Sequence, residues 1–354
     1  MLSPLVGVWS DRTRTRIGRR LPFLLGGAVL GLVALPAVAL APNVPLMGVA
    51  WVFALLGWTT AAQAILNLQA DRIPEERRGK VSGLTGLTGQ MGPIVGIGLV
   101  SAVSGHTLLV FMLPALVGAV LAAVFLRVGS RGESRTDTPV PAGPVSARTL
   151  LAGYTFSPRQ NRDFAWNWLG RLTFFTGLYF NTTFSTFFYA QRLRMTVQDV
   201  AGTVAVIGML GILAAALGAV GGGMLSDRLG RRRLFALVGG LFFVAGAVTE
   251  AFSHSFPQLV VGSVLMQLSI AFFTAVDQAI VMAVLPDQEE AGRYMTVGVL
   301  SLKIPSALAP LIAPFILAVG ASGGEKNYTL LYLTGAALAF LGGLMIFTRV
   351  KAVR

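Results

Sequence analysis

The sequence contains no cysteine and only two histidines, and charged residues make up 12% of its 354 positions. Without cysteine there can be no disulfide, no thiolate metal site and no cysteine nucleophile. The two histidines, His106 and His254, lie at outer ends of predicted helices in different halves, with no metal-ligand or hydrolase spacing around them. We therefore expect neither an enzyme nor a bound metal or cofactor.

The scarcity of charge is matched by an excess of apolar residues, which reach 54% with a mean hydropathy of +0.72. Such a chain is too apolar for a water-soluble core and too poor in charge to coat a globular surface. Apolar runs of about twenty residues recur along it, each long enough to cross a hydrocarbon layer of roughly 30 Å as a helix. The pattern predicts an all-α polytopic membrane protein.

Apolar length and helix breakers predict ten full membrane spans. These are 21–41, 46–70, 82–104, 107–128, 164–190, 200–225, 234–253, 258–285, 295–319 and 329–348. A long polar segment, 129–163, contains three prolines and has the composition of a linker. It is predicted to be cytoplasmic and to separate an N-terminal bundle, 1–128, from a C-terminal six-helix bundle, 164–354.

The formal charge of +13 follows the alternation of the predicted loops. Of the 28 basic residues, 23 lie on one set of alternate loops, two lie inside predicted spans, and the other set of loops holds only Arg192, Arg194 and Lys326. Basic loops stay on the cytoplasmic side, so this distribution predicts the topology of a multi-pass protein of the cell's inner membrane. It excludes a nucleic-acid partner, because such a protein would not place its charge on every second loop.

A short polar motif occurs twice at equivalent loops. Its members are Gly7, Asp11, Arg12, Gly18, Arg19 and Arg20 in the first half and Gly223, Asp227, Arg228, Gly230, Arg231 and Arg232 in the second. We interpret the first glycine as allowing close helix approach, the acid as a partner for a backbone group or arginine, and the arginines as holding the loop at the lipid surface. The repeat predicts two copies of one bundle.

Helix counts within the two copies differ. The second copy has two predicted helices, 164–190 and 200–225, before the end of its motif, whereas only nine residues precede Ser10 in the first. We therefore expect an N-terminal bundle that lacks its first helix and most of its second.

The doubled motif resembles the signature between the second and third helices of major facilitator carriers, and the resemblance covers the whole chain. It implies the major facilitator fold of two pseudo-symmetric bundles, with a secondary transporter that moves a small solute by alternating access. The stretch from Ser10 to Phe23 and the stretch around Asp277, Pro286 and Arg293 are similar to the glycoside-pentoside-hexuronide and sucrose carriers. That likeness implies a sugar or glycoside as the solute.

Three matters stay open in the sequence. Coupling to a proton or to sodium is compatible with the resemblance, although the predicted span 46–70 has no acid inside it. A drug and proton antiporter is the alternative, because Gly89, Gly92, Pro93 and Gly96 partly resemble the motif of that group. A second alternative is a sensor or truncated remnant that keeps the fold without transporting.

Ionisable and polar side chains inside predicted spans supply the candidate solute site, since such groups are costly in lipid. Arg171, Asp277 and Lys303 fall at one predicted depth near the cytoplasmic ends of three helices, and we expect Asp277 to pair with one of the two cations. The resemblance implies that the spans holding Arg171 and Asp277 line a central cavity. The further candidates, with hydrogen-bonding groups or an aromatic face suited to a sugar, are Gln63, Asn67, Tyr179, Asn181 and Gln278.

Overall fold

A computed structural model describes residues 10, 13, 15, 18–72, 85, 88, 92, 95–96, 98–100, 103, 105–129, 156–196, 199–286, 291–321 and 325–352. Over these residues the chain is helical and contains no strand, which confirms the all-α prediction. It divides into two compact units, which we call the N-terminal unit, Met1–Ser146, and the C-terminal unit, Ala147–Arg354.

Three long helices form the described part of the N-terminal unit. They are α1, Leu21–Ala39, α2, Val44–Arg72, and α3, Thr107–Gly129. Helix α1 packs against both of the others. The backbones of α1 and α2 touch where Gly27 faces Gly57, and the ring of Trp58 lies beside Gly31 on α1 and Gly118 on α3.

Seven helices form the described part of the C-terminal unit. They are α4, Arg162–Thr183, α5, Ser185–Leu193, α6, Ala201–Leu229, α7, Arg232–Ala251, α8, Phe256–Ala283, α9, Ala291–Ala318, and α10, Tyr328–Arg349. Each helix packs against the next one in the order α6, α8, α7, α10, α4 and α9. In addition, α8 touches α4. Helices α4 and α8, which carry Arg171 and Asp277, are thus brought together by tertiary packing.

Local chemistry sets several helix ends. The Asn43 side chain accepts a hydrogen bond from the Leu46 amide at 2.9 Å at the start of α2, and Asn327 does the same for Leu330 at the start of α10. Helix α6 ends where Gly230 adopts a positive φ of 60°, a conformation that glycine reaches without a steric penalty. The end of α6 is therefore fixed by the glycine of the repeated motif.

Eight of the helices in the described part of the chain are long and apolar enough to cross a membrane. They correspond to eight of the ten predicted spans. The predicted span 82–104 lies largely outside the described residues, although scattered positions between Thr85 and Val100 are helical. The remaining span, 164–190, contains α4, whose Asn167, Arg171 and Asn181 make it the most polar of the long helices.

The predicted span 164–190 is not a single helix, because the chain breaks at Phe184 into α4 and α5. Near the break the hydroxyl group of Thr182 donates to the Leu178 carbonyl oxygen at 3.0 Å, and that of Ser185 donates to the Thr182 carbonyl oxygen at 3.0 Å. Side chains of this type compete with the backbone hydrogen bonds of a helix. The polar sequence from Asn181 to Ser185 gives the break its physical basis.

Large apolar side chains cover parts of both units. On α6 and α9 they include Leu217, which is 70% exposed, and Phe315, which is 76% exposed. Water-soluble proteins rarely expose apolar surface on this scale. The exposed faces fit helices that lie in lipid, as the hydropathy predicts.

Helices α4 and α10 approach closely through paired glycines. A Cβ atom at Gly177 would collide with the carbonyl oxygen of Gly335, and one at Gly342 would lie 2.6 Å from the Phe174 amide nitrogen. Small residues at such crossings allow helix backbones to pack closely in a membrane. This contact positions α4, and with it the candidate site.

We expect Gly177→Ala to destabilise the C-terminal unit by about 1–3 kcal/mol, because the added methyl group has no space between α4 and α10. Gly208→Ala on α6 is the matched control, since a Cβ atom there would meet no heavy atom within 4 Å. Thermal unfolding of the purified variants in mild detergent compares the two. Equal melting temperatures would show that the close approach does not limit the packing.

The absence of cysteine allows a direct test of the topology. Lys326 and Arg228 are both exposed, and they lie on loops predicted to be outer and cytoplasmic, respectively. We expect a membrane-impermeant maleimide to label Lys326→Cys in intact cells and Arg228→Cys only after permeabilisation. The reverse pattern would contradict the predicted orientation.

Candidate functional site

The centre of the candidate site is an ion pair between α4 and α8. Arg171 Nε lies 3.0 Å from Asp277 Oδ2, and the two side chains are 12% and 3% exposed. Of the two cations predicted as partners for Asp277, Arg171 is the one in contact. Burying the pair removes two charges from water, which costs free energy. The attraction between the charges offsets that cost only if their geometry is good and their other polar atoms are hydrogen-bonded.

The geometry leaves polar atoms of the pair unsatisfied. Arg171 Nε and Asp277 Oδ1 are buried without an aligned hydrogen-bond partner, as is Oδ1 of Asn167. Asn167 precedes Arg171 by four residues on α4 and therefore lies on the same helix face. Buried polar atoms normally have partners. Because Arg171 Nε already faces Asp277, the free acceptors are Asp277 Oδ1 on α8 and Asn167 Oδ1 on α4, which leave hydrogen-bonding capacity for a bound molecule.

Helix α9 forms another wall beside the pair. Nη1 of Arg171 lies 3.4 Å from the position that a Cβ atom would take at Gly298. One turn earlier on α4, the indole nitrogen of Trp168 donates to the carbonyl oxygen of Val297 at 2.9 Å. Trp168 and Arg171 thus face adjacent residues of α9, and the aromatic ring and the guanidinium group belong to one local surface.

Lys303 and Gln278 do not join the buried pair. The side chains of both residues are exposed on the C-terminal unit, although Gln278 is the neighbour of buried Asp277 in the sequence. Successive residues of a helix point about 100° apart, so one is buried while the next is exposed. The structure therefore separates residues that share a predicted depth.

Asn181 and Tyr179 lie farther along α4. Asn181 is fully buried, with its amide nitrogen 3.7 Å from the sulfur of Met266 on α8 and its oxygen against Gly335 on α10. It is ten residues beyond Arg171, or about 15 Å along the helix axis. Tyr179 is half-buried against the apolar core. These two candidates are not brought to the ion pair.

Gln63 and Asn67 contact each other within the N-terminal unit. Nε2 of Gln63 donates to Oδ1 of Asn67 at 2.9 Å along α2, and Nδ2 of Asn67 is buried without a partner. A single turn of helix separates the two residues, so their contact follows from the sequence spacing. The pair has one amide nitrogen left to donate.

The repeated motif shares one backbone feature in its two copies. Gly18 and Gly230 both adopt a positive φ, of 101° and 60°. Buried Arg20 donates to the hydroxyl group of Ser10, and Arg19, Arg228, Arg231 and Arg232 belong to the described residues. Gly7, Asp11 and Arg12 lie outside the described residues, as does the side chain of Asp227.

Within the C-terminal unit, the close helix approach is at the glycines that precede the first motif glycine of the second copy. A Cβ atom at Gly223 would meet no heavy atom within 4 Å, whereas Gly222 and Gly218 lie against the backbone of α8. The contact face of a helix repeats every three to four residues, and Gly218 and Gly222 share that face. The close packing of α6 on α8 thus depends on Gly218 and Gly222.

One buried acid has no counterpart among the sequence-predicted candidates. Glu250 lies near the C-terminal end of α7, which is predicted to be its outer end, and is 0% exposed. The available signal was an acid inside the predicted span 234–253. Because Glu250 is close to the end of that span, the sequence is equally compatible with an acid exposed at the membrane surface. Only the packing of the helices shows that its side chain is buried.

Comparisons with known proteins cover both halves of the chain. The family model described as Major Facilitator Superfamily matches residues 1–222 and 211–354. No curated protein matches the sequence significantly.

Solved structures share the fold at low identity. A bacterial homologue of the human lysosomal transporter Spinster, in an inward-facing and unoccupied conformation, is 14% identical with a TM-score of 0.68, over 100% of this chain and 86% of that one. A bacterial homologue of the iron transporter ferroportin, in an outward-facing state, is 14% identical with a TM-score of 0.61, over 98% and 85%. A double tryptophan mutant of XylE is 15% identical with a TM-score of 0.58, over 99% and 83%.

We expect the Arg171 and Asp277 side chains to be coupled in stability. Asp277→Asn and Arg171→Gln should each cost about 3–5 kcal/mol of unfolding free energy, because each leaves a buried charge without its partner. The double variant leaves no bare charge and should lose less than the sum of the two. Unfolding of the four proteins in mild detergent gives the coupling free energy, and additive losses would contradict the pairing.

Proposed function

The chain belongs to the Major Facilitator Superfamily, a family of membrane transporters, and from that premise we propose that it moves a sugar or glycoside by alternating access. The membrane we assign to it is the inner cell membrane, with the basic loops on the cytoplasmic side. The observation that carries the proposal is the Arg171–Asp277 pair, which lies among unsatisfied polar atoms within apolar helices.

The chemistry around the pair suits a polyhydroxylated solute. Sugar hydroxyl groups need both donors and acceptors, and Arg171, Asp277 and the amide of Asn167 provide both. The C–H face of a sugar ring packs well on an aromatic surface, and Trp168 lies one turn from Arg171 on α4. A solute hydroxyl can accept from the guanidinium group while another donates to Asp277 Oδ1, which is buried without a hydrogen-bond partner.

Competition between the solute and the pair provides the mechanism. Without solute, Asp277 neutralises Arg171 and holds α4 against α8. When a sugar binds, its hydroxyl groups share the two charged side chains, and the contact between the helices weakens. A ligand shifts a conformational equilibrium only by its differential affinity for the two states, and this exchange of partners supplies such a difference.

The alternative function is a drug and proton antiporter. It is favoured by a partial likeness to the antiporter motif at Gly89, Gly92, Pro93 and Gly96. Gly92 is exposed on the N-terminal unit, and a Cβ atom there or at Gly96 would meet nothing within 4 Å. A hydrophobic drug would make little use of the paired charges and of the Asn167 amide. A test with both classes of solute therefore separates the two functions.

We expect purified protein in vesicles to take up members of a panel of labelled sugars and glycosides. The Arg171→Gln/Asp277→Asn double variant should lose uptake by at least tenfold, because its amides cannot replace two charged partners, although it keeps more stability than either single variant. Thr334→Ala is the control, since that hydroxyl donates only to Leu330 of its own helix at 2.8 Å.

Two results would contradict the proposal. Full uptake by the double variant would restrict the pair to a structural role. Transport of cationic drugs, with no sugar transported, would favour the antiporter.

A further inference from the structure

A second buried polar cluster lies at the outer end of the C-terminal unit, away from the ion pair. Its centre is Glu250 on α7, surrounded by Tyr189 on α5, Ser263 on α8 and Tyr332 on α10. Each of the four side chains is nine-tenths or more buried. Four helices thus meet at one carboxyl group within the membrane-spanning part of the bundle.

Only one of the two oxygen atoms of the Glu250 carboxyl group accepts aligned hydrogen bonds. The hydroxyl group of Ser263 donates to Oε1 in a short contact, and that of Tyr189 donates to the same oxygen at 3.3 Å. The two hydroxyl oxygens are themselves 2.7 Å apart. Oε2 and the hydroxyl group of Tyr332 form no aligned hydrogen bond, although that hydroxyl group lies against the same carboxyl group and interacts with it.

No salt bridge joins Glu250 to a cation among the residues that the structure describes. The titratable groups facing it are Tyr189 and Tyr332, with Tyr328 one turn nearer the outer surface. Arg192 is engaged elsewhere, since its Nη2 donates to the Ala251 carbonyl oxygen at 2.6 Å and to the Thr329 hydroxyl at 2.7 Å. An ionised Glu250 would be a charge without a cationic partner in a membrane-embedded bundle, which is energetically costly.

A bound proton would remove both the uncompensated negative charge and the unsatisfied state of Oε2. Bound to Oε2, it removes the charge and lets that oxygen donate to the hydroxyl oxygen of the adjacent Tyr332. A metal cation fits less well, because hard cations take six or more oxygen ligands. The helices also leave little room, since a Cβ atom at Gly262 would collide with the Glu250 side chain and lie 2.8 Å from the Gly246 carbonyl oxygen.

The cluster lies directly beneath an open cavity at the outer surface. This cavity of about 680 Å³ is lined in part by Phe188, Arg192, Ser253, Lys326 and Tyr328. The amide and hydroxyl groups of Ser253 both donate to the carbonyl oxygen of Glu250, at 3.0 and 2.7 Å. Because Phe188 lines the cavity and packs on Tyr332, which lies against the carboxyl group, one layer of side chains separates that group from the cavity.

Aromatic rings form that layer. The ring of Phe188 lies 4.3 Å from that of Tyr332 and 5.8 Å from that of Tyr328, measured between centroids. Phe188 and Tyr189 both belong to α5, the short segment that follows the break at Phe184. Movement of α5 would therefore change both the cover over Glu250 and one of its hydrogen bonds.

We propose that Glu250 is a proton-binding site that exchanges with the outer solution through this cavity, with Tyr189 linking its occupancy to α5. The bound proton is held on Oε2 as a carboxylic acid, and its release leaves a carboxylate that keeps the Ser263 and Tyr189 donors. Use of this proton to drive solute movement rests on the proposed function, whereas proton binding itself does not.

Infrared difference spectroscopy of the purified full chain in nanodiscs tests the site. We expect a pH titration to show the carbonyl stretching band of a buried carboxylic acid in the wild type and its loss in Glu250→Gln. Glu325→Gln is the matched control and should keep the band, because that acid is exposed at the same outer end. Tyr189→Phe keeps the acid but removes a donor to the carboxylate, so its band should persist to higher pH.

A band that survives unchanged in Glu250→Gln, or is absent from the wild type at every pH, would overturn the assignment. Loss of the band on addition of sodium at constant pH would identify sodium as the occupant and overturn it as well. If Glu250→Gln does not fold, Tyr189→Phe provides the test, and a titration of the band that is unchanged in this variant would also overturn the assignment.

Vesicle assays separate this proposal from transport. A pH gradient should drive solute accumulation by the wild type, while Glu250→Gln should only equilibrate the solute. A Glu250 band in protein that moves no solute would leave the proton site standing and reject the transport function.

Discussion

The hydrocarbon layer offers no hydrogen bonds, and this one constraint accounts for most of the structure. Every backbone amide in a span must be satisfied within the protein, so the described chain is helical. The same constraint acts on side chains, because hydroxyl groups such as those of Thr176 and Thr334 donate to carbonyl oxygens four residues earlier in their own helices. Polar groups that cannot be satisfied so locally gather between helices. The C-terminal unit holds two such groups, one around Arg171 and Asp277 near the predicted cytoplasmic end and one around Glu250 near the predicted outer end.

Close helix packing is what brings those groups together, and glycine makes it possible. Lipid removes the hydrophobic drive for helices to associate, so contact area and backbone approach become important. Gly177 and Gly335 allow α4 to touch α10, while Gly246 and Gly262 allow α7 to touch α8. The first contact sets the position of Arg171, and the second encloses Glu250. Both polar clusters are thus consequences of where small residues fall on the helix faces.

The two clusters differ in how their charge is balanced. Asp277 faces a cation at 3.0 Å, whereas Glu250 faces only hydroxyl groups among the described residues. A solute with hydroxyl groups can replace part of an ion pair, and a proton can neutralise a solitary acid. Family membership rests on the match to the Major Facilitator Superfamily, while the solved structures at 14–15% identity support the fold alone. The chemistry assigned to each cluster therefore rests on the side chains of this chain.

Composition, the length of the apolar runs and the repeated motif determined the all-α membrane fold and eight of the spans, because these depend on local sequence and on the thickness of a bilayer. They also indicated that Asp277 would need a cation. Only the tertiary structure decided that Arg171 supplies it, that Lys303 is exposed and that Asn181 packs against Met266 instead. It likewise placed the tight helix contacts at Gly218 and Gly222 instead of Gly223, and it buried Glu250. The physical reason is that sequence fixes the depth of a residue along its helix, whereas the rotation of each helix against its neighbours decides which side chains meet.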